Sequence, residues 1–168
     1  MTKTPPTSTP RLEDLYTPEI LALATAMPHV GQLEQADGEA LAHSRLCGSR
    51  VRAQLRLDAQ GRVAAFAQDV HACALGQAAA AILGGNVIGA DLALLQEGRA
   101  ALEAMLREGA QPPITGAWQA LRALQPVRDY PPRHAAVLLP FDAAIVAMRK
   151  ALEQRERMNG KAEEGQGA

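Results

Sequence analysis

One segment near the middle of the chain constrains the fold more than any other. Residues 72–83 are nearly all small or apolar, and Gly84 and Gly85 follow them directly. Glycine commonly ends helices, so the segment predicts a helix that stops after Leu83. A helix that is apolar on every side has to be buried, and its small side chains allow its neighbours to approach closely. We therefore expect the core to be built around this helix.

The composition agrees with a small and closely packed core. The chain has 168 residues, which is the length of one domain, and this is long enough to bury a core without disulfide staples. Hydrophobic residues make up 48%, which excludes a wholly disordered chain. Aromatic residues make up only 3%, whereas there are 34 alanines. The core must therefore consist mainly of Ala, Leu and Val side chains.

Charge and cysteine content narrow the class of protein. With 17 basic and 18 acidic residues the net charge is −1, which argues against a nucleic-acid partner or a general affinity for anionic membranes. No stretch reaches the ~18 consecutive apolar residues of a membrane span, and the first residues lack the apolar run of a secretory signal. Two cysteines cannot make a disulfide framework. We expect a protein of the reducing cytoplasm.

A period of two predicts a small antiparallel sheet in the first half of the chain. Apolar residues alternate with arginines and a glutamine over residues 50–57, as in a half-exposed strand. Residues 58–61 form a turn, a return strand follows, and residues 42–46 can pair beside the hairpin. The residues expected to face the core are Val51, Ala53, Leu55 and Leu57 on the first strand and Val63, Ala65 and Ala67 on the return strand.

The remaining segments read as helices and loops. Residues 15–26 predict a first helix, with Thr17 as its N-cap. Residues 91–108 and 116–124 predict two more helices, residues 125–132 a loop, and residues 133–157 a last helix that starts or bends near Pro140. A helix, three strands and then a run of helices indicate an α+β fold, with helices on one face of a three-stranded antiparallel sheet. We expect one domain over residues 12–152, a disordered segment over 1–11 and a frayed tail over 153–168.

The two cysteines lie at boundaries between predicted elements. Cys47 precedes Gly48 at the end of a strand, and Cys73 begins the buried helix, where the positive end of the helix dipole lowers the pKa of a thiol. If the hairpin folds back onto that helix, the two thiols meet at one end of the sheet. His71 and His134 are possible further metal ligands, because thiolate with imidazole suits iron–sulfur clusters or zinc. Equally, free cysteines are often buried as small hydrophobic residues.

Several motifs follow one another in a specific order. They are Leu15-Tyr-Thr-Pro-Glu-Ile20, Pro28-His-Val-Gly31, Cys47-Gly48, Asp58-Ala-Gln-Gly-Arg-Val63, Cys73-Ala-Leu-Gly-Gln-Ala78 and Tyr130-Pro-Pro-Arg133. Their order and spacing resemble the NifU/IscU family of iron–sulfur cluster assembly scaffolds, including its SufU branch. The resemblance runs from about residue 15 to residue 152.

The resemblance implies a role in carrying a nascent [2Fe–2S] cluster, iron or zinc. In the family three cysteines hold the metal and receive sulfur from a cysteine desulfurase, and an Asp beside the first cysteine tunes cluster lability. Cys47 and Cys73 match the first two cysteines, Ser49 stands at the Asp position, and Ala136 stands at the third cysteine position. A [2Fe–2S] cluster normally needs four ligands, so the others would come from His134, His71, a second subunit or an external thiol.

Three functional hypotheses follow from these residues. The first is an assembly protein that binds iron or a [2Fe–2S] cluster through Cys47 and Cys73 and passes it to acceptor apo-proteins, with a desulfurase and a chaperone as partners and possible homodimer formation. The second is a homologue without a cluster that acts as an interaction module for the desulfurase. The third is a zinc protein. Enzymatic turnover is not expected, because the sequence shows no complete nucleophile–base set.

Overall fold

The protein is described by a computed structural model that covers residues 11–167. The predicted disordered segment therefore lies, except for Arg11, outside the described residues. The strands are β1 (Gly38–His43), β2 (Arg50–Leu57) and β3 (Val63–His71). The α-helices are α1 (Pro18–Thr25), α2 (Ala74–Gly84), α3 (Leu92–Arg107) and α4 (His134–Gly165). Three segments form 3-10 helices, and these are Leu12–Leu15, Gln119–Asp129 and Pro131–Arg133. The predicted α+β class is confirmed.

The three strands form one antiparallel sheet in the order β1-β2-β3. On β2, Val51, Ala53 and Leu55 are fully buried, as the alternation predicts. The inward face predicted for β3 is correct at Val63 and wrong at Ala65, and Ala67 is buried as predicted but on the opposite face of the sheet. A β-bulge near Leu57 shifts the register, so that Leu55 pairs with Phe66 and Ala53 with Gln68. The inward residues of β3 are therefore Phe66, Gln68 and Val70, whereas Ala65 and Ala67 lie opposite Arg56 and Gln54 on the outer face.

The helix starts follow the capping residues that the sequence supplies. Thr17 Oγ1 accepts a hydrogen bond from Ile20 N at 3.2 Å and so caps α1, as predicted. Asp91 Oδ1 accepts one from Leu94 N at 2.8 Å and caps α3. Cys73 is the N-cap residue of α2, but its side chain makes no capping hydrogen bond. The side chains of Thr17 and Asp91 each pair with a backbone N–H group that the helix itself leaves unpaired, whereas the side chain of Cys73 does not.

Several strands and helices begin or end at residues other than those predicted. The predicted strand over residues 42–46 lies earlier, at Gly38–His43. Where a short helix and a loop were predicted, a 3-10 segment runs from Gln119 to Asp129. Helix α4 begins at His134 and contains Pro140 in its interior, so it does not start at the proline. It also continues to Gly165, past the residue where fraying was expected, although its last turns are exposed.

Close backbone contacts hold the helices against the sheet and against each other. Helix α2 is buried along most of its length, as its composition predicts. A Cβ atom at Gly38 would lie 2.0 Å from the carbonyl oxygen of Ala147, so β1 packs directly on the backbone of α4. The small residues therefore allow elements to approach where larger side chains would hold them apart. Within residues 11–167, no helix is long and apolar enough to cross a membrane.

Candidate metal and cluster site

The strand register places both cysteines at one end of the sheet. His43 at the end of β1 pairs with Arg50 at the start of β2. Arg50 in turn pairs with His71 at the end of β3. Cys47 lies in the short connection between β1 and β2, and Cys73 lies two residues beyond His71. Both cysteines therefore lie at the same end of the sheet, as the hairpin topology predicts.

The connection that carries Cys47 is a tight, hydrogen-bonded turn. Ser44 N donates to the carbonyl of Ser49 at 2.8 Å, and Gly48 N donates to the carbonyl of Ser44 at 2.9 Å. Gly48 has φ +69°, a backbone conformation that glycine adopts without strain. The turn therefore fixes the position of Cys47 and leaves its side chain half-buried at the surface.

Hydroxyl groups surround the sulfur of Cys47. Its Sγ lies 3.0 Å from the Oγ of Ser49, which is itself buried. Ser44 Oγ is also buried and makes no well-formed hydrogen bond within the described residues. Burial raises the pKa of Cys47, but the nearby Ser44 hydroxyl, hydrogen bonding from the side chain and backbone of Ser49 and the positive charge of Arg133 outweigh it, so that the pKa lies below its usual value. The site thus favours the thiolate, which is the form that binds metals.

Cys73 is the N-cap residue of α2, at the positive end of this buried helix. It is half-buried, it packs against the edge of the core, and only its carbonyl takes part in the helix, accepting from Gln77 N at 3.0 Å. Its side chain makes no capping hydrogen bond. The sulfur is therefore not engaged in capping the helix.

The start of α4 reaches the same end of the molecule. Arg133 immediately precedes the helix, and its charge acts on Cys47. Ala136, in the first turn, is fully buried. A Cβ atom at Gly76 would lie 3.1 Å from the carbonyl oxygen of Ala136, so the first turns of α2 and α4 are in backbone contact. The position at which the family resemblance places a third cysteine is therefore beside the helix of Cys73, but its methyl group offers no ligand.

The side chain of His134 forms hydrogen bonds to the backbone of the preceding segment. Its ring is buried, and Nε2 lies 3.0 Å from the carbonyl oxygen of Val127 and 3.2 Å from that of Arg128. A carbonyl oxygen can only accept a hydrogen bond, so Nε2 must carry the hydrogen. The ring consequently ties the end of the 3-10 segment Gln119–Asp129 to the start of α4, and this nitrogen is not free to bind a metal.

His71 lies on the exposed outer face of the sheet. Its Nε2 is 3.3 Å from Asp69 Oδ1, and Arg50 and Arg52 line the same shallow surface. Within residues 11–167, no group of three or more Cys, His, Asp or Glu side chains is arranged to hold a metal ion. The structure thus brings Cys47 and Cys73 to one end of the fold, and within the described residues no group of three ligating side chains forms around them.

Sequence reasoning did not identify Ser44 and Arg133 as neighbours of Cys47. Both lie next to recognised motifs, since Ser44 precedes Cys47 by three residues and Arg133 ends the Tyr130-Pro-Pro-Arg133 segment. Prediction of a turn between residues 44 and 49, which a backbone hydrogen bond joins, would have placed Ser44 near Cys47. The contribution of Arg133 depends on how α4 packs and has no local signal.

Comparison with known proteins gives a consistent assignment. The profile of the NifU-like N terminal domain family matches residues 15–136. A crystal structure of a nitrogen-fixing NifU-like protein (N-terminal) from Brucella abortus is 42% identical, with a TM-score of 0.79, and the match covers 84% of this chain and 96% of that one. No curated protein sequence matches the chain.

A more distant structure has the same fold. It is a candidate iron–sulfur cluster assembly scaffold protein for the SUF system from the thermophile Fervidobacterium islandicum AW-1. It is 20% identical, with a TM-score of 0.74, and the match covers 82% of this chain and 99% of that one. The profile match extends over more than half of the 168 residues. This chain therefore belongs to the NifU-like N-terminal domain family, as its motifs predict.

Proposed function

We propose that this protein is an iron–sulfur cluster assembly protein of the cytoplasm that binds iron or a nascent [2Fe–2S] cluster through Cys47 and Cys73. In this proposal a cysteine desulfurase supplies sulfur, and the cluster is cargo that passes to acceptor apo-proteins without enzymatic turnover. The observation that carries the proposal is the position of both cysteines at one end of the sheet in a NifU-like fold.

The surroundings of the two cysteine sulfurs support their use as metal ligands. Thiolates are soft ligands that suit iron–sulfur clusters. At Cys47 the thiolate is stabilised by serine hydroxyls and by Arg133. Cys73 lies at the N-terminus of α2, and its side chain makes no capping hydrogen bond. The thiolate form, which binds metals, is therefore favoured at Cys47, and the sulfur of Cys73 is not engaged in capping the helix.

The ligand count explains why binding to one chain would be weak. A [2Fe–2S] cluster needs four ligands, and one chain offers two cysteines. Ala136 has no ligating atom, the Nε2 of His134 donates to backbone carbonyls, and His71 faces outward. A half-filled ligand set is suited to transient carriage rather than to permanent storage of the cluster.

Anaerobic reconstitution tests the proposal. The full chain is incubated with ferric iron and sulfide, desalted, and examined by visible absorption and by iron and sulfide analysis. We expect sulfide-to-iron charge-transfer bands in the wild type and their loss in Cys47→Ser and in Cys73→Ser. His71→Ala, at the outer face of the sheet, is the matched control and should retain the bands.

Two results would contradict the proposal. One is a wild-type protein that binds no iron, and the other is a spectrum that survives replacement of both cysteines. Zinc found in the protein as isolated, retained in preference to iron and lost from the same two variants, would favour the zinc protein instead.

A second candidate function is supported by Ala136, which is buried and lacks a ligand. Here the protein is an interaction module for the cysteine desulfurase and carries no cluster. Binding to purified desulfurase, measured by calorimetry, would then be the same for wild type and for the double variant Cys47→Ser/Cys73→Ser. Absence of a cluster together with unchanged binding would establish this function, whereas absence of binding would exclude it.

A further inference from the structure

We propose that the open edge of strand β1 (Gly38–His43) binds an extended peptide segment of a partner protein, which joins the sheet as a further antiparallel strand. The segment is recognised through its backbone and through an acidic, an apolar and a basic residue at alternate positions. This inference goes beyond the proposed function, because the edge uses neither the cysteines nor a cluster.

The two edges of the sheet differ in how they are covered. At the edge of β3, Gln68 N donates to the carbonyl of His29 and Gly31 N donates to the carbonyl of Gln68, so that the preceding loop covers the strand. Strand β1 pairs with β2 on one side, and within residues 11–167 no strand pairs with its other side. Edge strands are commonly protected by lysine or proline, and β1 contains neither. The edge of β1 can therefore accept another strand.

The hydrogen bonds between β1 and β2 show which backbone groups face the open edge. Ser44 N donates to the carbonyl of Ser49, directly beyond the last paired residues of the two strands. Hydrogen-bonded positions alternate along an antiparallel pair, so Ala42 and Ala40 bond to β2 and the residues between them turn their N–H and C=O groups away from it. The residues with outward groups are Glu39, Leu41 and His43. Their spacing is the one that an added strand requires.

The side chains on the outer face of the sheet form rows that begin at these residues of β1. The rows are His43, Arg50 and His71; Leu41, Arg52 and Asp69; and Glu39, Gln54 and Ala67. The first row has a guanidinium and two imidazoles but no carboxylate, and within residues 11–167 Arg50 forms no ion pair. The second row begins with a leucine that is 50% exposed, and the third begins with a carboxylate.

An added strand extends each row by one residue, and side chains directly opposite each other on neighbouring strands interact. An acidic residue beside His43 offsets the positive charge of Arg50 in the same row, an apolar residue covers Leu41, and a basic residue meets Glu39. In a strand antiparallel to β1 these three residues occur in that order, with one residue between successive members. The rows therefore specify both the sequence pattern and the direction of the bound segment.

Amide hydrogen exchange of the full chain, measured by NMR without iron, tests the inference with a synthetic peptide. The probe is acetyl-Thr-Glu-Thr-Val-Thr-Lys-Thr-amide, which has the acidic, apolar and basic residues in the order required. We expect saturable binding that slows exchange at the amides of Leu41 and His43 by about tenfold, because these amides enter hydrogen bonds. The amides of Ala40 and Ala42 already bond to β2, so their exchange should change little.

Modified peptides and protein variants separate the backbone contribution from that of the side chains. A probe with N-methylvaline lacks the amide that donates to the carbonyl of Leu41, and it should not bind. Arg50→Glu should weaken binding of the original probe by about tenfold, because it places a carboxylate in the row that receives the acidic residue. Arg56→Glu is the matched control, since Arg56 lies on the outer face of the same strand away from the three rows, and it should bind as wild type.

Three results would overturn the inference. The first is equal binding of the N-methylvaline probe, which would show that the backbone edge is not used. The second is exchange at Leu41 that is already slow in the free chain and slows further as the protein concentration rises, which would assign the edge to a second copy. The third is absence of binding by the original probe to the folded chain. Since no sample contains iron, these results leave the proposed function to its own test.

Discussion

Replacement of Gly98 by alanine should destabilise the protein, although alanine favours helices. Gly98 lies within α3, where Gly→Ala would normally stabilise by about 1 kcal/mol. Here the new Cβ atom would lie 2.5 Å from Cε2 of Trp118 and 2.8 Å from two further ring atoms, whereas ordinary contacts are 3.4–4 Å. The indole must therefore move by roughly 1 Å, and such overpacking costs about 1–3 kcal/mol.

The indole of Trp118 has little freedom to move. It is 2% exposed, its Nε1–H donates to the carbonyl of Leu94 at 3.0 Å, and its ring lies 5.3 Å from that of Phe141. Breaking the buried hydrogen bond would add about 1–3 kcal/mol. After subtraction of the helix gain, we expect a net loss of about 1–5 kcal/mol in the free energy of unfolding.

Urea denaturation followed by circular dichroism measures this loss. Gly160→Ala is the matched control, because Gly160 also lies within a helix and its Cβ would meet nothing within 4 Å. That variant should be as stable as wild type or more stable, by at most about 1 kcal/mol. A Gly98→Ala protein as stable as wild type would refute the reasoning, because it would mean that the indole can shift without cost.

Two further predictions concern single side chains. In a Cys73→Ser background, Ser49→Ala should raise the pKa of Cys47 by removing a hydroxyl that stabilises its thiolate, so that iodoacetamide alkylation begins at higher pH; coincident pH profiles for the two proteins would contradict this. Gln68→Leu should lower the free energy of unfolding by about 1–3 kcal/mol, because the side-chain amide donates to the carbonyls of Pro28 and Ala80 and leucine removes both hydrogen bonds. Denaturation measures this effect, and a loss below about 1 kcal/mol would show that water replaces the amide.

The strands show which part of a sheet local pattern can predict. The inward face of β2 follows from alternation alone, because every second residue faces the core. The inward face of β3 does not, because the bulge near Leu57 moves the partners of all later residues. A bulge is a property of two paired strands, and the sequence of β3 by itself contains no sign of it. The buried position of Gln68 is likewise explained only by its partners, the carbonyls of Pro28 and Ala80.

In the candidate site too, local sequence pattern predicts some features and not others. The positions of Cys47 and Cys73 at one sheet end follow from hairpin topology, which the sequence predicts. The roles of the histidines depend on tertiary partners. His134 faces two carbonyls at the end of the preceding 3-10 segment, in residues 125–132 that were predicted as a loop, and His71 faces outward because of its place on β3. A ligand set assembled from spacing alone could not distinguish these orientations.

The packing at Ala136 explains how the third ligand position can lose its thiol without loss of the fold. Ala136 is fully buried, and its carbonyl meets the backbone of α2 at Gly76, where any side chain would intrude. His134 fixes the same turn of α4 from the other side through its bonds to Val127 and Arg128. Neither contact uses a metal, so the place beside Cys73 stays defined whether or not a ligand is there.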